Sequence, residues 1–139
     1  MDSELDPQHD YPLGARRPDL VTTPAGVALS ALTLQALRAG EIHGPDMRAT
    51  PETLRRQAAV ARAAGRRQLA ENLERAAELA SVPEQLLLDV YTALRPRRAT
   101  AEELEAWAAR LEEHGATKTA AFVREAAAAY DERGLLANA

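Results

Sequence analysis

The amino-acid sequence predicts an all-α fold: a small bundle of four to five helices preceded by an extended, proline-rich N-terminal arm. From about residue 51 onward, apolar residues recur at the three- and four-residue spacing of an amphipathic helix. The alternation of apolar and polar residues that marks a half-buried β-strand occurs nowhere in the chain. Five of the eight prolines lie before residue 47, and they leave room for only one short helix there. We therefore expect an arm over residues 1–46 and a helical bundle domain over residues 47–139.

Composition limits the function classes open to the protein. A chain of 139 residues suggests one domain with a modest core, which Leu, Val and Ala must fill because aromatic residues are few. The net charge of −4 argues against a nucleic acid or an anionic membrane as the main partner. Because there is no cysteine, a disulfide, a thiolate nucleophile and a cysteine-bound metal are excluded. No apolar run approaches the roughly 18 residues that would span a bilayer. The acidic N-terminus lacks the regions of a signal peptide, so we expect a cytoplasmic protein.

The arm is expected to contain one short helix at about residues 30–39, with Ser30 as its N-cap and Gly40 just past its end. A disordered tail is the simplest interpretation of a segment so rich in Pro and Gly. The arm nevertheless carries many large apolar side chains, so we favour an arm that stays mobile until it wraps another surface. These side chains are Tyr11, Leu13, Leu20, Val21, Val27, Leu29, Leu32, Leu34 and Leu37.

The bundle is expected to begin at Thr50, an N-cap followed by a proline and an acid in the first helical turn. This helix runs to Ala64, where Gly65 either caps it or kinks a longer helix that continues to Ser81. The side chains expected to face the core are Leu54, Ala58 and Ala61 before the glycine, and Leu69, Leu73, Ala76, Ala77 and Ala80 after it.

Residues 83–94 contain the densest apolar run of the sequence and are expected to form the helix around which the others pack. Ser81 and Glu84 have the spacing of a capping box around Pro83, and Pro96 ends the helix. A helix that is apolar on nearly all sides is normally buried, in the core of its own chain or in that of another subunit. Its large apolar side chains are Leu86, Leu87, Leu88, Val90, Tyr91 and Leu94.

Two further helices are expected after this one. Thr100 and Glu103 form a second capping-box pattern, which opens a helix that His114 and Gly115 close. The last helix is expected at about residues 117–133. The side chains expected to face inward are Leu104, Trp107, Ala108 and Leu111 in the first helix, and Ala120, Val123, Ala126, Ala127 and Tyr130 in the second.

The chain carries few residues that could do chemistry. Its histidines, His9, His43 and His114, are scattered, and none stands four residues from another ligand type as a helical metal site would require. The glycines at 40 and 44 lack the following Lys and Ser or Thr of a phosphate-binding loop. The glutamates fall on expected polar helix faces, where no pocket is visible that would split the pKa values of a carboxylate pair. We therefore expect no catalytic, cofactor-binding or metal-binding residue in this chain.

Three groups of arginines, at residues 55–56, 66–67 and 95–98, form the basic spots of the sequence. They could contact phosphates in a helix-turn-helix arrangement, which keeps a DNA-binding regulator as an alternative. Pairing with interspersed acids, or contact with the acidic surface of a partner protein, is the interpretation we favour. Trp107 could equally be a core residue or an interface anchor. The residues alone thus indicate a helical subunit or adaptor without an active site of its own.

Several strings, taken in their order and spacing, carry a more specific indication. The arm holds Tyr11-Pro12-Leu13, TPAG at residues 23–26 and LTLQALRAGE at residues 32–41. The bundle adds DMRATPET at residues 46–53, AELASVPEQLLLDVYTALRP at residues 77–96 and AFVREAAAAY at residues 121–130. Together they resemble the small subunit of adenosylcobalamin-dependent diol and glycerol dehydratases over nearly the whole chain.

The resemblance implies a lyase assembled from large, medium and small subunits, two of each per hexamer. In such enzymes the substrate lies in a (β/α)-barrel of the large subunit, and the cobalamin sits between the large and medium subunits. A radical reaction, whose difficult chemistry belongs to the cofactor, turns a 1,2-diol into an aldehyde and water. The small subunit is then a non-catalytic helical piece that packs against the large one and does not bind adenosylcobalamin by itself.

The resemblance also bears on location and on contacts. The short acidic segment before Tyr11 is unlike the amphipathic leaders that direct some family members into protein-shelled microcompartments, so encapsulation is doubtful. The alternative function is a free-standing helical adaptor or DNA-binding regulator without enzymatic activity. The candidates for contact with the large subunit are Tyr11, Leu13, Val27, Leu34, Leu87, Tyr91 and Trp107.

Overall fold

The chain folds into two compact units, Met1–Ala80 and Ser81–Ala139, and the computed structural model describes residues 5–138 of them. We call these the N-terminal unit and the C-terminal unit. The described residues form seven α-helices, which confirms the predicted all-α fold, and their only β structure is an isolated bridge between Thr22 and Ala28. The helices are α1 (Leu13–Arg16), α2 (Leu34–Arg38), α3 (Pro51–Ala63), α4 (Arg67–Leu79), α5 (Glu84–Ala93), α6 (Ala101–Glu113) and α7 (Thr117–Arg133).

The arm contains more regular structure than expected, because α1 and three 3₁₀ turns accompany α2. α2 is also shorter than the expected helix over residues 30–39. Its N-cap is Thr33 and not Ser30, because Oγ1 of Thr33 accepts a hydrogen bond from the backbone N–H of Ala36 at 3.1 Å. Ser30 lies instead inside a 3₁₀ turn. Gly40 follows the helix end as expected, with a φ of +73° that favours glycine.

The arm is attached to the helices of its own unit. Arg56 on α3 donates from Nη1 to the backbone oxygen of Leu20 at 2.7 Å. Leu13, Ala36 and Ile42 of the arm are buried. A compact folded unit does not show which segment folds by itself, so the predicted division at residue 46 stays a prediction.

α3 and α4 form a helix hairpin in the N-terminal unit. Thr50 is the N-cap of α3, as expected, and its Oγ1 accepts from the backbone N–H of Thr53 at 3.2 Å. Gly65 caps the helix and does not kink a longer one, because its φ of +75° ends the α-helical backbone. The core of the hairpin consists of Ala58, Ala61 and Ala70 with Leu73 packed against them.

The prediction that Leu69 faces the core is wrong. Its side chain is 44% exposed, whereas the neighbouring Ala70 is completely buried. The buried positions of α4 are Ala70 and Ala77, so Ala77 is buried as expected, whereas Ala70 takes the inward position that was expected for Leu69. Because the facing residues on α3 are also alanines, a leucine in the place of Ala70 would not fit between the two helices.

α6 and α7 form the second hairpin, in the C-terminal unit. The predicted capping box at the start of α6 is confirmed: Oγ1 of Thr100 accepts from Glu103 N–H at 3.2 Å, and Oε2 of Glu103 accepts from Thr100 N–H at 2.9 Å. The residues that pack between the two helices are at most 1% exposed. They are Leu104, Ala108 and Leu111 from α6 and Ala116, Ala120 and Val123 from the start of α7 and the turn before it.

α5 packs on α6 within the same unit. The predicted capping box between Ser81 and Glu84 is wrong, because Pro83 is the N-cap and makes no side-chain cap bond. Glu84 is therefore the first helical residue, whereas a capping box needs its acid at the third. At the other end of α5, the hydroxyl of Tyr130 on α7 donates to the backbone oxygen of Leu94.

The C-terminal tail fixes the turn that follows α5. The backbone N–H of Arg97 donates to the oxygen of Leu135 at 2.7 Å, and that of Ala137 donates to the oxygen of Ala99 at 2.9 Å. Arg97 has a φ of +62°, a conformation that residues with a Cβ rarely adopt. The tail thus holds the turn in a shape that the sequence of the turn would not select alone.

Candidate subunit interface

The N-terminal unit leaves an apolar groove of about 670 Å³ between the arm and the α3–α4 hairpin. The arm covers one side of the groove, and Tyr11 at its edge is 66% exposed. On the other side, Leu69 of α4 is the exposed leucine described above. The apolar lining consists of Tyr11, Pro12, Leu13, Val21, Val60, Ala61, Ala64, Leu69 and Leu73. This unit therefore does not bury all of its apolar surface by itself.

α5 leaves a second apolar surface, on the C-terminal unit. Leu86 and Val90 on one side of the helix are 4% and 3% exposed, but Leu88 and Tyr91 are each 56% exposed. The spacing of three residues places Leu88 and Tyr91 on one helix face. Within this chain, therefore, only one side of this apolar helix is buried as expected.

The turn after α5 places three exposed arginines beside this surface: Arg95, Arg97 and Arg98. Within residues 5–138, no ion pair joins any of them to an acid. Arg17, Arg62 and Arg124 do pair with acids; in Arg62, for example, Nη2 lies 2.6 Å from Oε1 of Glu74.

The charged groups whose pKa values are shifted belong to surface ion pairs. Arg124 lies between Glu105 and Glu112, at 2.7 Å and 2.6 Å between nitrogen and carboxylate oxygen, and its hydrogen bonds lower the pKa of both carboxyls. Arg17 likewise lowers the pKa of Asp19 through a hydrogen bond. Each carboxyl is stabilised in its ionised form, which suits a structural ion pair and not a general acid.

The seven predicted contact residues do not form one cluster. Leu34, with 73% of its surface exposed, and Tyr11 are the exposed candidates of the N-terminal unit, whereas Val27 is half-buried there. Leu13 is only 6% exposed and has little surface to offer a partner in this conformation. In the C-terminal unit Tyr91 is exposed. Leu87 and Trp107 are half-buried there.

Two features of these exposed surfaces were not found from the sequence. Leu88 is the exposed leucine of α5 and Leu87 is half-buried, because the sequence alone does not show which side of an apolar helix meets its neighbours. The spacing of Leu88, Tyr91 and Arg95, at i, i+3 and i+7, is the signal that could have indicated a mixed apolar and basic face. The groove depends on how the arm crosses α3 and α4, and no local pattern encodes that.

Sites for other ligands are not evident in the part of the chain that the structure describes. Over residues 5–138, no group of three or more His, Cys, Asp or Glu residues could hold a metal ion. The same residues include no helix long and apolar enough to cross a membrane. The expectation that this chain supplies no catalytic, cofactor-binding or metal-binding residue stays a prediction.

Comparison with known proteins decides the family. Residues 7–137 match the family described as the dehydratase small subunit. The chain belongs to the dehydratase small-subunit family. Its curated relatives include the propanediol dehydratase small subunits of Citrobacter freundii and Salmonella typhimurium (strain LT2). Each is 50% identical to this chain over 125 residues, which are 89% of this chain and 73% and 72% of the two relatives.

This dehydratase small subunit is thus part of an enzyme complex, as the resemblance found in the sequence implied. A small subunit implies larger partner subunits, and the exposed apolar surfaces on both units are surfaces that partners could cover. A free-standing adaptor or a DNA-binding regulator is not favoured.

Proposed function

We propose that this chain is the non-catalytic small subunit of an adenosylcobalamin-dependent dehydratase that converts a 1,2-diol into an aldehyde and water. The observation that carries the proposal is the 50% identity to two propanediol dehydratase small subunits across most of the chain. The partners are the large and medium subunits, with two copies of each subunit in the complex, and the large subunit is the one that this chain contacts.

The exposed apolar surface supports a role in assembly. Tyr11, Leu34 and Met47 in the N-terminal unit and Leu88 and Tyr91 in the C-terminal unit are each more than half exposed. An isolated surface residue of this kind is common, but two residues on one face of α5 and a groove beside Tyr11 form larger patches. Apolar patches of this kind become buried when subunits associate, and their burial drives the association.

We expect no cobalamin site in this chain. His9, His43 and His114, whose imidazoles are possible cobalt ligands, are exposed and lie on separate elements. The carboxyls with lowered pKa values are held by neighbouring arginines and histidine at the surface. We therefore derive no catalytic step from this chain and expect the partner subunits to hold the cofactor and the substrate.

Reconstitution tests the proposal. The large and medium subunits of the same enzyme are produced with and without this chain, separated by size and assayed with propane-1,2-diol and adenosylcobalamin. We expect this chain to elute with the large subunit and to raise the yield of active complex. A chain that elutes alone, beside large and medium subunits that are fully assembled and active without it, would contradict the proposal.

A further inference from the structure

The exposed side of α5 combines apolar and basic side chains. Leu88 and Tyr91 are each 56% exposed, and Arg95 lies four residues beyond Tyr91, just past the helix end. The hydroxyl of Thr92, also on this exposed side, donates to the backbone oxygen of Leu88 at 2.8 Å and so needs no polar partner from outside. We define the α5 face as Leu88, Tyr91, Arg95, Arg97 and Arg98.

The basic end of the α5 face is held in place by the fold. The hydrogen bond from Arg97 N–H to the oxygen of Leu135 and that from Ala137 N–H to Ala99 fix the backbone of the turn. None of its three arginines pairs with an acid of residues 5–138, in a chain whose net charge is −4. A fixed turn with unpaired guanidinium groups suits carboxylates of another molecule, which arginine binds in a defined geometry.

We propose that the α5 face docks on the large subunit, at a surface that is apolar at its centre and carries carboxylates at one edge. The proposal rests on the proposed function, and it adds the face and the chemistry of the contact. Burial of Leu88 and Tyr91 supplies the apolar part of the interface, and the arginines fix the orientation and speed the encounter.

Other occupants fit the α5 face less well. A nucleic acid would need a wider basic surface than one turn of an acidic chain offers. A second copy in antiparallel orientation could pair Glu84 with Arg95, but it would leave Arg97 and Arg98 without acids. Two ten-residue helices also bury less than the roughly 1,000 Å² that a stable interface requires.

Charge reversal in the assembled enzyme tests the electrostatic part. In Arg95→Glu/Arg98→Glu the basic edge becomes acidic, while Arg97 keeps its unusual backbone conformation. The matched control is Arg55→Glu/Arg67→Glu, which changes two exposed helical arginines of the N-terminal unit by the same charge. Binding of each full-length chain to the immobilised large subunit is measured at low and high salt, with circular dichroism to confirm folding.

We expect the Kd of Arg95→Glu/Arg98→Glu at low salt to rise about tenfold or more, and that of the control to stay within about twofold. High salt should weaken the wild-type complex and reduce the difference between wild type and variant, because it screens the charges. The apolar variant Leu88→Ser/Tyr91→Ser should also bind about tenfold more weakly, at both salt concentrations.

The other outcomes separate the two proposals. If the wild-type chain does not bind the large subunit, the proposed function fails and the docking face fails with it. If the wild type binds and the α5-face variants bind equally well, or lose no more affinity than the control, the docking face is wrong while the proposed function stands. A homodimer of the free chain that Leu88→Ser/Tyr91→Ser abolishes would assign this face to a second copy and would also overturn the proposal.

Discussion

At the scale of single residues, the leucines of the C-terminal unit fall into two groups. Leu111 on α6 is completely buried in the hairpin core, whereas Leu88 on α5 is 56% exposed. Both are leucines on helices of the same unit, so truncation of each removes the same atoms from different surroundings. Leu87, which the sequence analysis names as a candidate for contact with the large subunit, is half-buried and would give an intermediate effect.

Leu111→Ala should lower the free energy of unfolding of the isolated chain by roughly 2–5 kcal/mol, because it leaves a cavity in a closely packed core. Leu88→Ala should change it by no more than about 0.5 kcal/mol, since Leu88 is more than half exposed in the free chain. Urea unfolding followed by circular dichroism measures both. Equal losses for the two variants would mean that α5 is buried differently from the structure described above.

The cluster of Arg124 with Glu105 and Glu112 predicts a pH dependence. Since Arg124 lowers the pKa of both carboxyls in the folded chain, their ionised forms favour folding above the pKa of the unfolded carboxyl, about 4.3. This stabilisation is lost as the pH falls through the lower pKa values of the folded state. The effect is small because the cluster is exposed to solvent.

The expected result is that Glu105→Gln/Glu112→Gln loses less thermal stability than the wild type when the pH falls from about 6 to about 3. Melting temperatures from circular dichroism over this range measure the difference, and Glu102→Gln/Glu113→Gln, which changes two exposed glutamates of the same helix, is the control. If the wild type and Glu105→Gln/Glu112→Gln lose stability in parallel, the ion pairs do not contribute.

At the scale of helices, the start and end of each long helix follow from local residues. Thr50 and Thr100 cap α3 and α6 through their own side chains, and Gly65 and Gly115 end α3 and α6 with positive φ angles. Because these interactions span only three or four residues, sequence patterns predict them well. Ser81 and Glu84 have the spacing of a capping box, but the helix begins later than this pattern predicts. Pro83 is the N-cap, so Ser81 lies outside the helix start.

Thr100→Ala should lower the free energy of unfolding by about 1 kcal/mol, because it removes the side-chain bond at the start of α6. Ser81→Ala is the matched control, with an expected change of no more than about 0.5 kcal/mol, since Ser81 caps no helix. Urea unfolding of both variants measures the difference. An equal loss of stability in Ser81→Ala would show that Ser81 does cap α5 and would contradict this account.

The faces of helices were less predictable than their ends. The exposed positions Leu69 and Leu88 look like core residues in the sequence, but the fold buries Ala70 next to Leu69, and on α5 it buries Leu86 and Val90. Which of two adjacent apolar residues faces inward depends on the neighbouring helix, and that contact joins residues distant in the sequence. The family resemblance could be found from the sequence because it rests on continuous stretches of residues. The candidate interface could not, because it depends on contacts between residues distant in the sequence.

At the scale of the whole molecule, the arm and the long helices should differ in stability. α1 and α2 have four and five residues, too few to be stable without tertiary contacts, whereas α3, α4, α6 and α7 each have thirteen or more. The described contacts of the arm include one side-chain bond from Arg56 and three buried apolar side chains. We therefore expect the arm to open more often than the hairpins in the free chain.

Hydrogen exchange tests this expectation. In the isolated chain, amides of α2 should exchange much faster than those of α3 and α6, and assembly with the large subunit should slow them. Strong protection of the arm in the free chain, equal to that of α6, would contradict the proposed wrapping arm.

The central claim is that this dehydratase small subunit acts through assembly and not through the reaction. Turnover per complex, normalised to bound cobalamin after size separation, tests it most directly in two variants, Leu87→Ala and Glu112→Gln. We predict a lower yield of complex for Leu87→Ala and turnover within about twofold of wild type for both, because transition-state stabilisation comes from groups near the reacting atoms. A variant of any Glu, Asp, His or Arg here that assembles, binds cobalamin normally and yet turns over about a hundredfold more slowly would contradict the claim.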